Sequence, residues 1–470
     1  MKKSSLLLLC GAFFVIAVAL FYAWTNWSGA RELEAALAQL AEKKESIRME
    51  DFIPPPVRDD QNVAKALIFQ EFFTSGEESR LGKFALSVKN LCELFAGERS
   101  LIQKAKKFDP AFSGDEAAAG RVVLEYLSPS APIVEEVREA LRRPQVNWPL
   151  DYSKAFINDA VHVNPVQSVS HMLGERALAE LAAGFPDKAF QDTMMLLALA
   201  GATGSPGTIV CYAVQNVILS GASRVINDGL SRGVWSDKEL AAFSVSLTHQ
   251  DKMRQFVDCL RMERAMSQQG GSFNPKYLAF PNGDWGTRRT WTKTFKNIVL
   301  QTRPVGWVKR DRALHLLRMQ RLIEALGDGN CVSPTEVRNI SSPSASVSKW
   351  DRSTTPVSYL LLSGMPSSVE SVCFRQTLLE STRAACAVER YRLANKRLPE
   401  KLNDLVPAFL PEVPKDPLTG APLFYKPSPE GSFVIYGVGS NQTDDGGSVH
   451  SPQSENPRMQ ADWGVFVSRG

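Results

Sequence analysis

The strongest constraint on this chain is a run of nineteen residues, Leu6 to Trp24, with no charge and almost nothing polar. At about 1.5 Å per helical residue, such a run just spans a hydrocarbon core of about 30 Å. Lys2 and Lys3 precede it, and Arg31 is the only basic residue in the fifteen that follow. Positive charge stays on the cytoplasmic side, so this bias predicts a cytoplasmic N-terminus with the bulk of the chain outside. Tyr22, Trp24 and Trp27 fall where interfacial aromatic residues gather. The expectation is an uncleaved single-pass anchor in the inner membrane of a bacterium, with an extracytoplasmic domain behind it. Two other readings compete. A signal peptide would have a shorter apolar core and be cut after Ser28-Gly29-Ala30; a lipoprotein would use Cys10, but Leu9 is large for that motif and the apolar run continues well past it.

The 470 residues suffice for two or three domains with a sizeable core. Hydrophobic content of 44% and charged content of 22% exclude wholesale disorder. A net charge of +4 is too small for a dedicated nucleic-acid binder, so no nucleic acid is expected as a partner. The seven cysteines show no CxxC spacing, and most lie in apolar helical stretches such as Val210-Cys211-Tyr212. The six other than Cys10 could pair in an oxidising compartment, but they read first as free thiols packed as small hydrophobes.

Beyond the anchor (residues 1–30), the pattern predicts a mainly α chain. Residues 31–58 read as a juxtamembrane helix carrying Leu33, Leu37 and Leu40, broken by the stiff Pro54-Pro55-Pro56 spacer. Helical periodicity fills 59–326, as a bundle or a stack of helical hairpins. One helix ends near Gly184, Pro186 opens another, and Ile209 to Ile226 makes a third. Ser236 and Glu239 form a capping box, with Trp235 and Leu240 as its staple. A hairpin resembling a tetratricopeptide unit lies near Ala177, but no 34-residue period is sustained. Residues 267–290 read as an exposed loop, and 327–368, rich in Ser, Pro and Gly, as a boundary. Residues 369–470 then form a small α+β module with a short antiparallel sheet.

No catalytic or cofactor-binding residue is assigned. The histidines 162, 171, 249, 315 and 450 form neither HExxH nor a pair with a nearby cysteine, and read as surface or packing residues. Walker, Rossmann and GxSxG patterns are absent. Glu263 reads as a helix salt bridge to Arg261 or Arg264. The most basic stretch runs from Arg288 to Arg321, with Asp311 its only acid between Lys309 and Arg312 and with Trp285, Trp291, Phe295 and Trp307 interleaved. It reads first as a solvated helix face with tryptophans in the core. The alternative is a surface for lipid headgroups or an anionic envelope polymer.

The C-terminal order is the most specific. A helix bearing Tyr391 leads to Arg397-Leu398-Pro399, then to Asp416-Pro417-Leu418-Thr419-Gly420 and Pro422-Leu423-Phe424-Tyr425. A strand at Phe433 to Gly439 precedes Asp444-Asp445-Gly446-Gly447, and Asp462 to Phe466 gives a last strand. Asp-Pro followed by Gly is turn chemistry, because Pro fixes φ and Gly accepts positive φ. Over residues 380–467 this order resembles the globular end of the type II secretion major pseudopilin. That resemblance implies a calcium site at the acidic loop, carried by Asp444, Asp445 and Asp462. The N-terminus lacks the pilin cleavage site and its following Glu, so the chain is not expected to be a processed pilin subunit. The whole pattern also resembles membrane-anchored helical proteins of planctomycete- and verrucomicrobium-like bacteria. The functional expectation is a non-catalytic envelope scaffold that binds a protein or polymer. An accessory part of a secretion or pilus-like machine, and a hydrolase whose site is assembled in space, remain as alternatives.

Overall fold

The first helix, α1 (Lys3–Glu42), is a single unbroken element of 40 residues in the computed structural model. The structure describes residues 3–96, 98, 100–152, 162–204, 207–248, 252–268, 303–327, 333–341, 355–449 and 462–469. Anchor and juxtamembrane segment are therefore one rod. It ends at Glu42, where Lys44 takes a left-handed φ of 58°, well ahead of the three prolines. The residues from Gly29 to Leu40 are rich in Ala, Leu and Glu, strong helix formers, so nothing halts the helix at the end of the apolar run.

Along α1 the environment changes abruptly. Phe13 and Phe14 are about 70% exposed (74% and 69%), whereas Thr25, Gly29, Ala36 and Leu40 are buried. Steps of four, seven and four put those buried positions on one stripe. The stripe packs on α12 (Val305–Leu326), which runs parallel to it. Glycine is required at the crossing: a Cβ on Gly29 would lie 2.0 Å from the Gly306 carbonyl oxygen, and one on Gly306 would lie 1.9 Å from that of Thr25. Asn26 Oδ1 accepts the Gly306 N–H at 2.7 Å, satisfying a first-turn donor of α12 that has no partner within its own helix. Phe21 meets Trp307 edge-on at 6.2 Å, and Glu32 pairs with Arg310 at 3.3 Å. At the far end Lys43 pairs with Glu324.

Between these helices lie α2 (Leu67–Ser75), α3 (Arg80–Leu94), α4 (Leu101–Phe108), α5 (Glu116–Leu127), α6 (Ala131–Ala140), α7 (Val163–Ala183), α8 (Pro186–Thr203), α9 (Ile209–Arg232), α10 (Asp237–Thr248) and α11 (Lys252–Met266). The terminators act as the sequence suggests. Gly184 closes α7 at φ 85°, and Pro186 opens α8. Ser236 and Glu239 form their reciprocal box, with Ser236 N–H donating to Glu239 at 2.8 Å. α7 is the hub, packing on α3, α5, α8 and α9.

Residues 334–341 and 356–363, inside the stretch read as a boundary, are helical: α13 (Pro334–Ser341) and α14 (Pro356–Ser363). The 31-residue α15 (Met365–Asn395) then joins two hydrophobic cores. Val369, Val372 and Cys373 pack with α11, α12 and α13, while Leu379 and Ala384 to Val388 join the core built by α2 to α10. The C-terminal helix is thus buried in the helical body. Strands β1 (Phe424–Pro427), β2 (Phe433–Val438) and β3 (Asp462–Val467) form an antiparallel sheet in that order, in the registers Tyr425↔Ile435 and Ile435↔Val465. Asp416 ties the turn to the sheet: its carboxylate accepts N–H groups of Leu418 and Val438, both at 2.8 Å.

Two acids take roles that helix spacing does not suggest. Asp311 is fully buried and accepts the N–H groups of Val357 (3.0 Å) and Ser358 (2.9 Å), capping α14 from α12. Glu263 is no helix salt bridge. It accepts the Ile209 N–H at 3.1 Å, at the first turn of α9. Arg264 turns instead toward the end of α1, donating to Glu45 at 2.7 Å, to the Ser46 carbonyl at 2.9 Å and to Gln320.

The basic stretch is described only from Arg303 onward; residues 288–302 lie outside the described residues. Lys309, Arg310, Arg312 and Arg318 are half-buried, not a solvated face. Burial pushes the guanidinium pKa values of Arg312 and Arg318 below their usual range. Arg312 donates to Gln268 at 3.0 Å, so part of this charge is spent on packing.

Candidate binding cleft

Helices α7, α9 and α15 and strand β3 enclose a cleft of about 310 Å³. α9 and α15 run parallel at constant offset. Arg375 donates to Ser220, and seven residues on, Asn227 donates to Thr382 at 3.3 Å, with the same separation of 155 in both pairs. Seven residues are two turns, so a polar row on one helix tracks a polar row on the other. α9 is long and apolar enough to cross a membrane, yet 61% of its apolar window is buried in the protein. Its polar row (Asn216, Ser220, Ser223 and Asn227), buried except at Ser220, marks it as a core helix with one polar face.

The floor of the cleft is made by what is missing. A Cβ built on Gly174 of α7 or Gly221 of α9 meets nothing within 4 Å, so both glycines leave open space. Leu178, Ile218, Phe374 and Leu378 supply apolar wall. Charge comes from three side chains. Glu175 pairs with the buried Lys104 of α4 and lies 3.9 Å from Arg224. The Arg375 guanidinium sits 5.1 Å over the Phe374 ring. Glu175 thus lies between Lys104 on one side and Arg224 on the other.

Asn227 is 3% exposed. The Thr382 hydroxyl donates to the Leu378 carbonyl at 2.8 Å, so its oxygen must accept from the Asn227 amide nitrogen. That fixes the amide orientation and leaves Asn227 Oδ1 with no partner among the described residues. An unmade hydrogen bond at a buried acceptor costs about 1–3 kcal/mol.

The three acids assigned to a calcium loop do come together, in a different arrangement. Asp462 is fully buried, and both its oxygens are taken by main-chain donors: Asp445 N–H at 3.2 Å, Gly447 N–H at 2.8 Å and Ser448 N–H at 3.1 Å. Gly446 and Gly447, at φ 83° and 82°, allow the chain to turn its amides inward. Asp444 accepts from Gly446 N–H at 2.8 Å and from the Tyr436 hydroxyl at 3.0 Å. The Gly446 amide, more than the nearby Lys426, holds its carboxyl below the usual range. Asp445 accepts from Asn441 at 2.6 Å. Calcium needs six to eight oxygens. Among the described residues these acids face donors and form a loop clamp. We expect Asp462→Ala to lower the melting temperature of the full chain by several degrees, since three amides lose their acceptor at about 1 kcal/mol or more each. The melting temperature of the unaltered chain should be the same in calcium and in chelator. A calcium-dependent rise that vanishes in Asp444→Ala would reinstate the ion.

Histidines and cysteines mostly pack. His162 is fully buried, stacked on Trp148 at 4.6 Å, with Nε2 3.8 Å from Cys211 Sγ. Burial pushes the imidazole down to about 3 and the thiol up. Both are neutral, so this pair lacks the thiolate a nucleophile needs. His315 is likewise buried, and burial pushes it down to about 4. His171 is exposed at the cleft; His249 and His450 lie outside the described residues. Cys211, Cys259, Cys373 and Cys386 are buried and in no disulfide, whereas Cys10 and Cys92 are exposed.

Fold and cleft together define a mainly helical chain with an apolar N-terminal helix and a small C-terminal antiparallel sheet. No family model, curated protein or solved structure matches it. Sequence reasoning missed the cleft because its walls come from residues 170 to 466. The available signals were two glycines in helix interiors and the polar row in an otherwise apolar α9.

Proposed function

We propose that this chain is a membrane-anchored, non-catalytic interaction protein of the bacterial envelope, with its cleft as the recognition site. The observation that carries the reading is the continuity of α1, which passes unbroken from a fully exposed apolar half into the packing of the domain. Cutting after Ala30 would discard Thr25, Asn26 and Gly29, and with them the contacts that finish the first turn of α12. That favours an uncleaved anchor over a signal peptide. Binding is favoured over catalysis by the state of the reactive groups. Glu175 is held by Lys104 and Arg224, and the Cys211–His162 pair is neutral.

A reporter that works only outside the cytoplasm, fused after Gly470, should be active. The protein should resist carbonate and yield to detergent. Activity of a cytoplasm-only reporter at the same position would overturn the topology, and carbonate extraction would overturn the anchor.

A further inference from the structure

We infer that the domain itself rests on the membrane: the first turn of α12 sits in the lipid interface beside α1, with Val305 and Trp307 in contact with lipid. The inference depends on the anchored reading above and adds to it a second contact that does not span the bilayer.

The height of that turn comes from the crossing with α1. Gly306 meets the backbone of Thr25 and Asn26, and Asn26 Oδ1 accepts its N–H at 2.7 Å. Those two residues directly follow Trp24, where the apolar run ends. α12 therefore begins within one turn of the level at which α1 leaves the hydrocarbon. From there the Trp307 ring reaches Phe21, three residues inside the run, edge-on at 6.2 Å. Side chains lean toward the N-terminus of their helix. On α12, which runs parallel to α1, that lean is toward the bilayer.

Both helices change character at this one level. Pro304, Val305, Gly306, Trp307 and Val308 carry no charge, and Lys309 and Arg310 follow them. On α1, Trp24 and Trp27 are followed by Arg31 and Glu32. The charged tiers meet: Arg310 pairs with Glu32 at 3.3 Å, and the Arg31 guanidinium lies 5.0 Å over the Trp27 ring. Beneath them the apolar tier faces outward, with Trp24, Trp27 and Val305 exposed by 62%, 58% and 61%. An outward aromatic and aliphatic tier, continuous with an apolar span and topped by charge, is what a bilayer interface accommodates.

The backbone agrees. A helix end at lipid needs its N–H groups removed or satisfied within the protein. Pro304 has none, the Gly306 N–H goes to Asn26, and the Trp307 N–H goes to the Pro304 carbonyl at 3.0 Å. Arg303, just before this turn, is half-buried and within electrostatic reach of Asp311. An arginine stem is long enough to keep its charged head out of the hydrocarbon.

The test uses the full chain reconstituted in phosphatidylcholine bilayers. In separate samples a benzophenone-bearing phenylalanine replaces Val305, Phe13 within the run, or Ala38, which is exposed on α1 about 21 Å beyond Trp24. Illumination joins the benzophenone to neighbouring C–H bonds, and mass spectrometry identifies the adducts. Position 305 should give lipid adducts about as often as position 13 and about tenfold more often than position 38, because only the first two lie at or within the hydrocarbon boundary. Val305 is exposed, so its replacement should leave the melting temperature in micelles unchanged. Lipid adducts at position 13 with none above the position 38 level at 305 would overturn the inference and leave the anchor standing. Lipid adducts at neither would overturn both. Protein–protein adducts at 305 in place of lipid adducts would make the patch a contact between copies of the chain, and would overturn the inference as well.

Discussion

Replacing Arg264 with Ala is expected to cost the folded chain about 2–4 kcal/mol, the range for removing one partner of a buried charged network. Arg264 is fully buried, and its guanidinium joins Glu45 and the Ser46 carbonyl, beyond the end of α1, to Gln320 on α12. Its removal leaves the partly buried Glu45 only the longer pair with Arg261 at 3.7 Å and opens a cavity between α11 and α12. Unfolding in urea should show the loss as a lower midpoint with an unchanged slope. Arg264→Lys should recover only part of it, because one ammonium cannot hold three acceptors in the fork geometry. A variant as stable as the original would mean that the end of α1 is held by other contacts.

The second large effect is on pH dependence. Glu180 is 6% exposed, with Oε2 lacking a partner among the described residues. Burial pushes its carboxyl up to about 8; Asp192 adds to this, while Arg176, Lys188 and Arg138 oppose it. Arg176 is committed to Asp192, at 2.5 and 2.6 Å, and lies 3.9 Å from Glu180. The sign follows from proton binding. Between the ordinary carboxylate range and pH 8 the unfolded chain loses this proton and the folded chain keeps it. Stability therefore falls as pH rises through that window and levels off above it. Glu180→Gln has no proton to lose. It should be more stable than the original at pH 9, on the order of 2–3 kcal/mol, and nearly equal to it at pH 5. Urea midpoints across this range decide the matter. Parallel curves for the two proteins would show that Glu180 ionises in the fold without penalty.

Local chemistry was readable from the sequence wherever both partners lie close along the chain. The apolar run, the Ser236 box, the Gly184 terminator and the Asp-Pro turn each need only a few neighbouring residues, and each stands where expected. The errors arise where the deciding partner is remote. Glu263 sits between two arginines four and fewer residues away, yet its hydrogen bond is to Ile209, 54 positions earlier. Asp311 stands amid basic residues and caps a helix 46 positions on. Asp462 was assigned through the resemblance to the pseudopilin acidic loop, and neighbouring residues alone could not show that two glycines bend main-chain amides onto it. The extent of α1 was misjudged for a different reason. A change from apolar to charged residues marks a change of solvent, not an end of helix, when every residue after it favours helix. The cleft could not be read, because Gly174 and Gly221 acquire meaning only once α7, α9 and β3 stand around them.

The unbroken passage of α1 into the domain also sets the geometry of encounter. About seventeen helical residues lie between the aromatic belt near Trp24 and the end of α1, or about 26 Å of rod. Packed along α12 by a glycine crossing and pinned at both ends, that rod is a mast and not a tether. With α1 in the bilayer, the domain turns about the membrane normal and drifts in the plane, but it does not bow toward the surface or swing away from it. On the proposed anchored reading, anything the cleft receives would be presented at one altitude. Partners rooted in the same membrane would meet it by two-dimensional diffusion, and a Pro or Gly-rich insertion after Ala30 would trade that fixed altitude for reach.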